Sequence, residues 1–526
     1  MPTPGQIWEE ADLATRRLAG LALNPSAPQD VLLRLLAEAP SVVRMVLCRD
    51  RDLPAAVVDA VIEHPDPRTR GFLAVNPHVE PDQRARLADD PDWIVRAHLA
   101  EGPRVPLPDR PRPLPDETVV HMITTYDGDE PLGSIGFWQQ MSWDLIRSMP
   151  THPVAEVRRA GAGRWGSLSA ERRAALLADP DEGVRERAEA QARLEDPVWV
   201  ESVLPPHPCH GRTDILLHRA LSRAVVEGVL TAPADDDEKA AIAGNPTLPA
   251  DAVVLLAADP DPKVRERIAG RADLGPAERR ALVGDPDPQV RRAVAHHADL
   301  DAHERGVLAV DPDPGVRLAV SVHPALSERE RARVDCTVPT DRVFGVHAQG
   351  WVSRDPDDIR RDALSGHPLL RRRAAQERTL PPDLVDRLAE DDDLGVRVLL
   401  AQNHPDAPAA LLLRSFLEYT GRERARLTTR PNFPRTGLAD LAGHADPQVR
   451  ALVARDPRAE PAVVERLTRD PDPEVRAALA RHPNLARPRL AELLHDEELA
   501  HAAAANPALD PGTVQRLLDT DGRGPW

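Results

Sequence analysis

The arginines of this chain have the spacing that most clearly suggests chemistry. Thirteen of them lie on one register whose usual step is 26 or 27 residues: Arg44, Arg70, Arg96, Arg158, Arg185, Arg265, Arg291, Arg317, Arg371, Arg397, Arg424, Arg450 and Arg476. A row of guanidinium groups could bind phosphates or carboxylates, because each presents a fixed fork of donors. Alternatively, each arginine pairs with an acid inside the protein. With Arg212 and Lys239 added, fifteen basic positions on one register in an acidic chain favour this structural ladder.

A second group of residue types that can do chemistry is the cluster His207, Cys209, His210 and His218. Zinc ligands usually come as two closely spaced pairs. Here the spacing is irregular, and the two halves of the cluster lie on either side of a predicted helix. We interpret it as a loop followed by a surface histidine and expect no metal.

The common catalytic motifs do not point to an enzyme. The motifs GxxxxGK[ST], HExxH and GxSxG do not occur in the sequence. Residues 161–166 form a small Gly-rich patch, but no predicted strand precedes it, so we do not expect phosphate to bind there. The sequence therefore predicts a protein that is not an enzyme.

The elements that carry the arginines are pairs of short helices. Leu248 and Leu256 lie seventeen and nine residues before Arg265, and this spacing of eight places them on one face of a first helix. Asp259-Pro-Asp-Pro262 then predicts the start of a second helix, because Asp accepts free amides and Pro suits the first position. The second helix ends at Asn-Pro or His-Pro, since a residue before proline leaves the helical region.

Helices this short are not stable alone and must bury their apolar faces against neighbouring helices, so successive pairs must stack. We predict an all-α fold, an α-solenoid of about seventeen two-helix repeats of 26–27 residues that run from about residue 20 to about residue 518. Val343 and Ala502 are the positions at which the basic series is broken.

Phrases such as Asn245-Pro-Thr-Leu-Pro249 and Asp259-Pro-Asp-Pro-Lys-Val-Arg265 resemble the leucine-rich repeat variant family and, more loosely, HEAT-like repeats. The resemblance covers most of the chain. It implies a right-handed superhelix of helix pairs, one helix being sometimes 3₁₀. In HEAT-like repeats a similar Asp and Arg bond across neighbouring units. One architecture of the family carries an iron–sulfur cluster on amino-terminal cysteines, but this chain has only Cys48 there, so we expect no cofactor.

Composition limits the class of protein. The chain has 526 residues, 67 Lys and Arg against 85 Asp and Glu, and a net charge of -18. An acidic surface disfavours broad contact with DNA or anionic lipid. The cysteines Cys48, Cys209 and Cys336 are few, distant and odd in number, which is typical of a reducing compartment. Without an apolar run near a leader or membrane length, we expect a cytoplasmic protein.

The repeat is interrupted most strongly between Arg96 and Met141. This insertion contains a Pro-rich stretch, predicted to be extended, then a short apolar piece and a turn-rich loop. Six of the fifteen aromatic residues lie between Tyr126 and Trp199: Tyr126, Phe137, Trp138, Trp143, Trp165 and Trp199. Long insertions in repeat arrays often carry function, so these rings are candidates for contact with a partner. The alternative is that they fill a packing fault, as buried aromatics mostly do.

A second irregular region, Val334–Asp358, contains Cys336, Phe344 and Trp351. It predicts either a kink or another contact patch, and the residues do not separate the two.

We therefore divide the chain into four parts. Residues 1–99 form an amino-terminal cap with Trp8 and the first repeats, 100–140 the insertion, 141–518 a continuous repeat array, and 519–526 a frayed tail. The preferred function is a non-enzymatic scaffold that binds a protein partner along the solenoid, with no nucleic-acid or membrane partner. The alternative is a HEAT-like solenoid that binds nucleic acid or repairs DNA.

Overall fold

The computed structural model describes residues 11–105, 110–125, 135–232, 236–339 and 355–523. Every regular element within these ranges is a helix, and helices that follow one another pack together in sequence. The chain divides into two compact units, Met1–Ala188 with Pro434–Trp526, and Glu189–Phe433. The prediction of an all-α solenoid is confirmed. None of the described helices is long and apolar enough to cross a membrane.

The first unit opens with the helices α1 (Leu13–Leu23), α2 (Gln29–Glu38), α3 (Ser41–Arg49), α4 (Ala55–Ile62), α5 (Pro67–Ala74), α6 (Pro81–Ala85), α7 (Trp93–Glu101), α8 (Asp116–Thr125), α9 (Ile135–Gln139), α10 (Trp143–Ser148), α11 (Ala155–Ala162), α12 (Ala170–Leu177) and α13 (Glu182–Arg193), the last of which continues into the second unit.

The second unit continues with α14 (Pro197–Val203), α15 (His210–His218), α16 (Arg223–Thr231), α17 (Asp236–Gly244), α18 (Ala250–Leu256), α19 (Pro262–Ala269), α20 (Pro276–Val283), α21 (Pro288–Val294), α22 (Ala302–Ala309), α23 (Pro314–Ser321), α24 (Glu328–Arg331), α25 (Pro356–Leu364), α26 (Pro368–Ala374), α27 (Pro382–Ala389), α28 (Leu394–Asn403), α29 (Ala409–Glu418) and α30 (Arg424–Leu427).

The chain then returns to the first unit with α31 (Pro447–Ala451), α32 (Pro461–Leu467), α33 (Pro473–Ala480), α34 (Arg487–Leu493), α35 (Ala500–Ala504) and α36 (Pro511–Asp519). Some turns are tighter and form 3₁₀ helices, at Met149–Thr151, Trp165–Ser167, Ala439–Gly443 and Leu452–Arg455.

The pair α18 and α19 shows why these sequences form repeats. Leu256 buries its side chain at the end of α18, and Val264 and Ile268 are fully buried one turn apart on α19. At the start of α19 the carboxylate of Asp261 accepts a hydrogen bond from the amide of Lys263 at 3.0 Å. Apolar residues one turn apart direct one face to the core, and the cap satisfies a free amide. The second helices of successive repeats, α17, α19, α21 and α23, pack directly on one another.

The residue before the proline that ends a second helix also joins neighbouring repeats. Asn245 Nδ2 donates to the carbonyl oxygens of Leu216 and Arg219, each at 2.8 Å. The imidazole of His323 occupies the same register position, and its Nε2 lies 3.0 Å from the carbonyl oxygen of His297. The sequence predicted only that Asn-Pro and His-Pro end helices. These buried side chains also hold each repeat to the one before it.

The carboxyl-terminal residues contact the start of the chain. Asp519, the last residue of α36, forms an ion pair of 2.8 Å with Nη1 of Arg34. The carbonyl oxygen of Gly522 accepts a hydrogen bond of 2.8 Å from Nη1 of Arg17. These two residues, expected to belong to a frayed tail, are held by α1 and α2. Trp8, the expected cap residue, lies outside the described residues.

Candidate partner-binding surface

The insertion is fastened to the repeats by a buried arginine and a buried glutamine. Arg84 of α6 donates from Nη1 to Oε1 of Gln140 at 2.8 Å. Gln140 Nε2 in turn donates to the carbonyl oxygen of Leu99 at 2.9 Å. Burial, reinforced by the nearby Arg112, lowers the pKa of Arg84 to about 10. These contacts fix the end of the insertion against α6 and α7.

Two helices of the insertion were not predicted as helices. The apolar piece lies in α8, which buries Val119, Met122 and Ile123. The second, α9, approaches α7 so closely that a Cβ on Gly136 would lie 1.9 Å from the carbonyl oxygen of Glu101. Glycine is the residue that permits this approach. The insertion is thus partly built into the core of the first unit.

Two of the six aromatic candidates are core residues. The side chain of Phe137 is 0 % exposed and that of Trp165 is 5 % exposed. The guanidinium carbon of Arg173 lies 5.5 Å from the centroid of the Trp165 ring. Neither ring is available to a partner in this conformation, because both are enclosed by their own unit. For these two residues the packing alternative describes the structure.

Trp143 has the opposite environment, since its side chain is 59 % exposed. It stands at the first position of α10, where Ser142 caps the helix by accepting from the amide of Leu145 at 3.0 Å. The guanidinium carbon of Arg110 lies 4.3 Å from the centroid of the Trp143 ring. Arg110 also donates from Nη2 to the carbonyl oxygen of Trp138 at 2.9 Å. One arginine therefore orients the exposed indole and ties it to α9.

Trp138 lies beside this group and is half-buried against the core. The guanidinium carbon of Arg164 lies 5.6 Å from its ring centroid, so both tryptophans have an arginine over one face. Trp199 is half-buried in α14 and belongs to the second unit, and Tyr126 lies outside the described residues. Among the six candidates, Trp138 and Trp143 are the two that the structure brings together.

Two further arginines, Arg159 on α11 and Arg187 on α13, lie in the same unit. A Cβ on Gly183 would lie 3.8 Å from Cδ of Arg159, and one on Gly163 would lie 3.7 Å from Nη2 of Arg187. Within the described ranges, no carboxylate lies within ion-pair distance of Arg159, Arg164 or Arg187. We refer to Arg110, Trp138, Trp143, Arg159, Arg164 and Arg187 as the Trp143 surface.

The arginines of the register have a different environment, as Arg265 shows. Its Nε and Nη2 donate to the two carboxylate oxygens of Asp285 at 2.7 and 2.9 Å. Asp285 also accepts from the amide of Asp287 at 2.8 Å, and its carbonyl oxygen accepts from Nη1 of Arg291 at 2.7 Å. Burial would raise the pKa of Asp285, but the hydrogen bonds from Arg265 and Asp287 outweigh it and leave that pKa lowered. The first aspartate of Asp-Pro-Asp-Pro thus connects two repeats.

The same bidentate geometry recurs in both units. It joins an arginine to an aspartate 20 or 21 residues later in the pairs Arg70–Asp90, Arg158–Asp179, Arg265–Asp285, Arg291–Asp311, Arg371–Asp391 and Arg450–Asp470.

Other register arginines use different partners. Arg44 lies 3.5 Å from Asp66, and Arg317 donates to the carbonyl oxygen of Asp335. Acids of the following repeat pair with Arg397 and Arg476. Backbone carbonyl oxygens accept from Arg96 and Arg185. Arg424 lies over the ring of Phe416. All of these side chains therefore interact inside the stack, either with the next repeat or with their own. Their contribution to stability stays a prediction.

The histidine and cysteine candidates lie just before α15 and along it. Cys209 is exposed at the start of α15, and His218 Nδ1 lies 3.1 Å from Asp214 Oδ1. No group of three or more His, Cys, Asp or Glu side chains in the described part of the chain is arranged to hold a metal ion. Cys48 is buried, and burial raises the pKa of its thiol to about 12.

In the second irregular region, Cys336 Sγ lies 3.7 Å from Nε2 of His367. Val343, Phe344 and Trp351 lie outside the described residues, so the choice between a kink and a contact patch is not tested.

Two features were missed at the level of sequence. Trp93, in Asp90-Pro-Asp-Trp93, is 62 % exposed, and its signal is the replacement of the repeat's second proline by tryptophan. The Gly-rich patch at 161–166 fits the spacing GxGxxG, a pattern that marks dinucleotide-binding loops between a strand and a helix. Here it spans the end of α11 and the 3₁₀ helix Trp165–Ser167, so it lacks that context.

Comparisons with known proteins bear on the repeat itself. None of the curated proteins compared with the chain matches it. A solved structure, the crystal structure of an engineered protein, aligns with 15 % identity over 91 % of this chain and 97 % of that chain, with a TM-score of 0.09. Residues 422–483 match the family model described as Leucine Rich Repeat Variant domain, and residues 473–498 match Leucine rich repeat variant. The repeats at residues 422–498 thus match the leucine rich repeat variant.

Proposed function

We propose that this protein is a non-enzymatic scaffold that binds a partner protein, and that the Trp143 surface contacts that partner. The observation that carries the proposal is the exposed indole of Trp143, which is oriented by Arg110. Tryptophan and arginine contribute most to binding energy at protein interfaces. A ring that is already held in place loses little conformational entropy on binding. Stacked repeats supply a long surface on which such a site can be presented.

The side chains of the Trp143 surface define the chemistry of the partner. The free face of Trp143 would pack against an apolar side chain, since Arg110 occupies the other face. Arg159, Arg164 and Arg187 offer guanidinium groups with no carboxylate partner among the described residues. Such groups bind carboxylates through charge-assisted hydrogen bonds. We infer a peptide segment in which one apolar residue is flanked by acidic residues.

A nucleic-acid partner would use the same arginines, but the net charge of -18 opposes it. Binding to duplex DNA depends on displacing counterions with a positive surface, and it weakens steeply with salt. Protein binding is therefore the function that we propose, and DNA binding becomes an outcome of the test.

A peptide selection tests this proposal. The full chain would be presented with a phage library of random twelve-residue peptides, and enriched sequences would be synthesised and titrated by fluorescence anisotropy. We expect peptides with one aromatic or aliphatic residue between Asp and Glu, bound at least tenfold more weakly by the Trp143→Ala variant. Trp93→Ala is the matched control, because that tryptophan is equally exposed but lies outside the Trp143 surface.

Two outcomes would overturn the assignment. One is a set of enriched peptides that bind wild type and Trp143→Ala equally well, which would place the site elsewhere. The other is salt-sensitive binding of a 20-base-pair DNA duplex, lost in Arg159→Glu and Arg187→Glu, with no enriched peptide. That result would favour the nucleic-acid function.

A further inference from the structure

The two ends of the chain contribute complementary halves of one repeat. Near the carboxyl end, α36 has the position of a first helix, and Thr520–Arg523 are the described residues that follow it. At the amino end, α1 ends at Asn24-Pro25 in the manner of a second helix. Helix α1 packs on α35, α36 and α3, all within the first unit. We refer to α36 and α1 together as the composite repeat.

Arg17 supplies the first repeat-type contact between the two ends. Its Nη1 donates to the carbonyl oxygen of Gly522 at 2.8 Å. In an ordinary repeat the register arginine donates in the same way to a carbonyl just before its own helix, as Arg265 does to Asp259 at 2.8 Å. Arg17 is buried and also donates from Nε to Leu494 at 2.7 Å. It therefore takes the place of a register arginine, with acceptors from the other end of the chain.

Asn24 supplies the second repeat-type contact. Its Nδ2 donates to the carbonyl oxygens of Ala504 and Asn506 at 3.1 and 2.7 Å. Asn506 makes the same pair of bonds to the repeat before it, reaching Ala480 and His482 at 2.9 and 2.8 Å. The junction between the chain ends therefore uses the hydrogen bonds that join consecutive repeats elsewhere.

The helices at this junction are in close contact. A Cβ on Gly20 of α1 would lie 2.0 Å from the carbonyl oxygen of His501 and 2.9 Å from Cβ of Ala504. Only glycine permits α1 to approach α35 this closely. Gly20 and Ala504 are therefore positions, one on each side of the junction, at which a larger side chain would separate the ends.

We propose that the composite repeat is a homotypic joint, in which α1 of one copy can complete the repeat begun by α36 of a second copy. All of its contacts are non-covalent and join segments about 480 residues apart in sequence, so they do not require one chain. Within one chain, closure is favoured because the folded repeats already place both ends in the same compact unit, which makes the contact intramolecular. A second copy is therefore taken when closure within the chain is blocked. Such contacts are head-to-tail.

A complementation experiment tests the joint independently of the Trp143 surface. Gly20→Val damages α1 but leaves α35 and α36 intact, whereas Ala504→Leu damages α35 but leaves α1 intact. Neither variant can close on itself. In a mixture, the intact α1 of the Ala504→Leu copy can dock on the intact α35 and α36 of the Gly20→Val copy. The reverse junction is damaged on both sides, so association stops at a heterodimer.

The measurements are mass by size exclusion with light scattering and hydrogen exchange of the α1 amides. Each variant alone should be a monomer with exchange in α1 at least tenfold faster than wild type. The 1:1 mixture should have twice the monomer mass. Gly228→Val is the control for Gly20→Val, because a Cβ at Gly228 would have no atom within 4 Å, and its mixture with Ala504→Leu should stay monomeric.

Three results would overturn the proposal. In the first, the mixture remains monomeric although α1 exchanges faster in both variants. In the second, α1 of Gly20→Val keeps wild-type exchange, so the close contact is not required. In the third, the single variants lose their helical circular dichroism, which would make closure a condition of folding and exclude an exchangeable joint.

Discussion

Arg158 and Arg159 are consecutive residues of α11, yet their side chains have different environments: Arg158 lies between two repeats, and Arg159 belongs to the Trp143 surface. Arg158 donates from Nε and Nη2 to both carboxylate oxygens of Asp179, at 2.7 and 2.8 Å, and so joins two repeats. Arg159 has no carboxylate within ion-pair distance among the described residues and belongs to the Trp143 surface. Neighbouring arginines therefore serve the stack in one case and remain available to a partner in the other.

The difference lies in what the next repeat offers. Asp179 begins the Asp-Pro-Asp segment that follows α12, so an acid reaches Arg158 from the adjoining repeat. The side chain of Arg159 lies near Gly183, and the carboxylate of Asp181 beside that glycine is not within ion-pair distance of Arg159. A buried guanidinium without a carboxylate is costly, whereas one at the surface is not. Residue type alone thus does not assign an arginine to structure or to binding; the residue opposite it does.

The largest expected effect is at the core side of the insertion. Phe137→Ala should lower the free energy of unfolding by about 3–5 kcal/mol, because it empties a fully buried site that the rest of α9 cannot fill. Chemical denaturation followed by tryptophan fluorescence measures the loss. A loss below about 1 kcal/mol would show that α9 is not part of the core. Phe137 would then not differ from the exposed Trp143 in its contribution to stability.

The next effect tests the paired arginines. Arg158→Ala leaves Asp179 partly buried without its bidentate donor, and should cost about 2–4 kcal/mol. Arg291→Ala should cost a similar amount in the second unit, because Arg291 has the same geometry with Asp311. Thermal and chemical denaturation measure both variants.

A double-mutant cycle supplies the control for this effect. Arg158→Ala combined with Asp179→Ala should cost less than the sum of the two single substitutions, since each single variant strands a charged partner. An unchanged melting temperature in Arg158→Ala and Arg291→Ala would show that the arginine–aspartate ladder does not contribute to stability.

The sequence predicted the helix pair and the arginine register because both depend on local spacing. Leu248 and Leu256 mark one face of a first helix, and Asp259-Pro-Asp-Pro262 marks the start of the second. Such signals lie within one repeat and recur in the next. The helix pairs could therefore be predicted from signals that lie within a single repeat.

What the sequence could not supply depends on contacts between distant residues. Phe137 and Trp143 are similar in type and only six positions apart, but the approach of Gly136 to Glu101 carries Phe137 into the core while Trp143 stays at the surface. The pairing of Asn24 with Ala504 joins residues 480 apart. Patterns of hydrophobicity record neither event, because they describe one helix at a time.

The third prediction concerns the histidines that replace asparagine between repeats. Burial, together with Arg305 and Arg331, lowers the pKa of His323 to about 4. Its Nδ1 accepts from the amide of Ala325 at 3.1 Å while Nε2 faces the carbonyl oxygen of His297, so a second ring proton would meet a donor. Because the folded pKa lies below the ordinary value of 6.5, the contribution to stability is complete above pH 6.5 and is lost as the pH falls from there to about 4.

That loss should be on the order of 3 kcal/mol, since each pKa unit corresponds to about 1.4 kcal/mol. His323→Asn is the matched variant, because Asn245 makes the equivalent contacts without a titrating group. Unfolding free energies measured from pH 7 to pH 4 should fall more for wild type than for His323→Asn. Parallel profiles would contradict the assignment.

The pH window also separates the histidine from the arginine pairs. The hydrogen bonds from Arg158 hold the pKa of Asp179 below its ordinary value of 3.8. That stability is present above pH 3.8 and is lost only as the pH falls further, through the lowered pKa. Arg158→Ala should therefore make the free energy of unfolding less dependent on pH below 3.8. His323→Asn should instead change that dependence between pH 6.5 and about 4.

The smallest expected effect completes the contrast between the two neighbouring arginines. Arg159→Ala should change the free energy of unfolding by less than about 0.5 kcal/mol, because no ion pair is broken and the side chain is only half-buried. Trp143→Ala should be similarly neutral, since its ring is mostly exposed. Denaturation of both variants beside Arg158→Ala gives the comparison in one helix. A loss for Arg159→Ala equal to that for Arg158→Ala would place Arg159 among the structural arginines, and the Trp143 surface would then lose part of its charge to the stack.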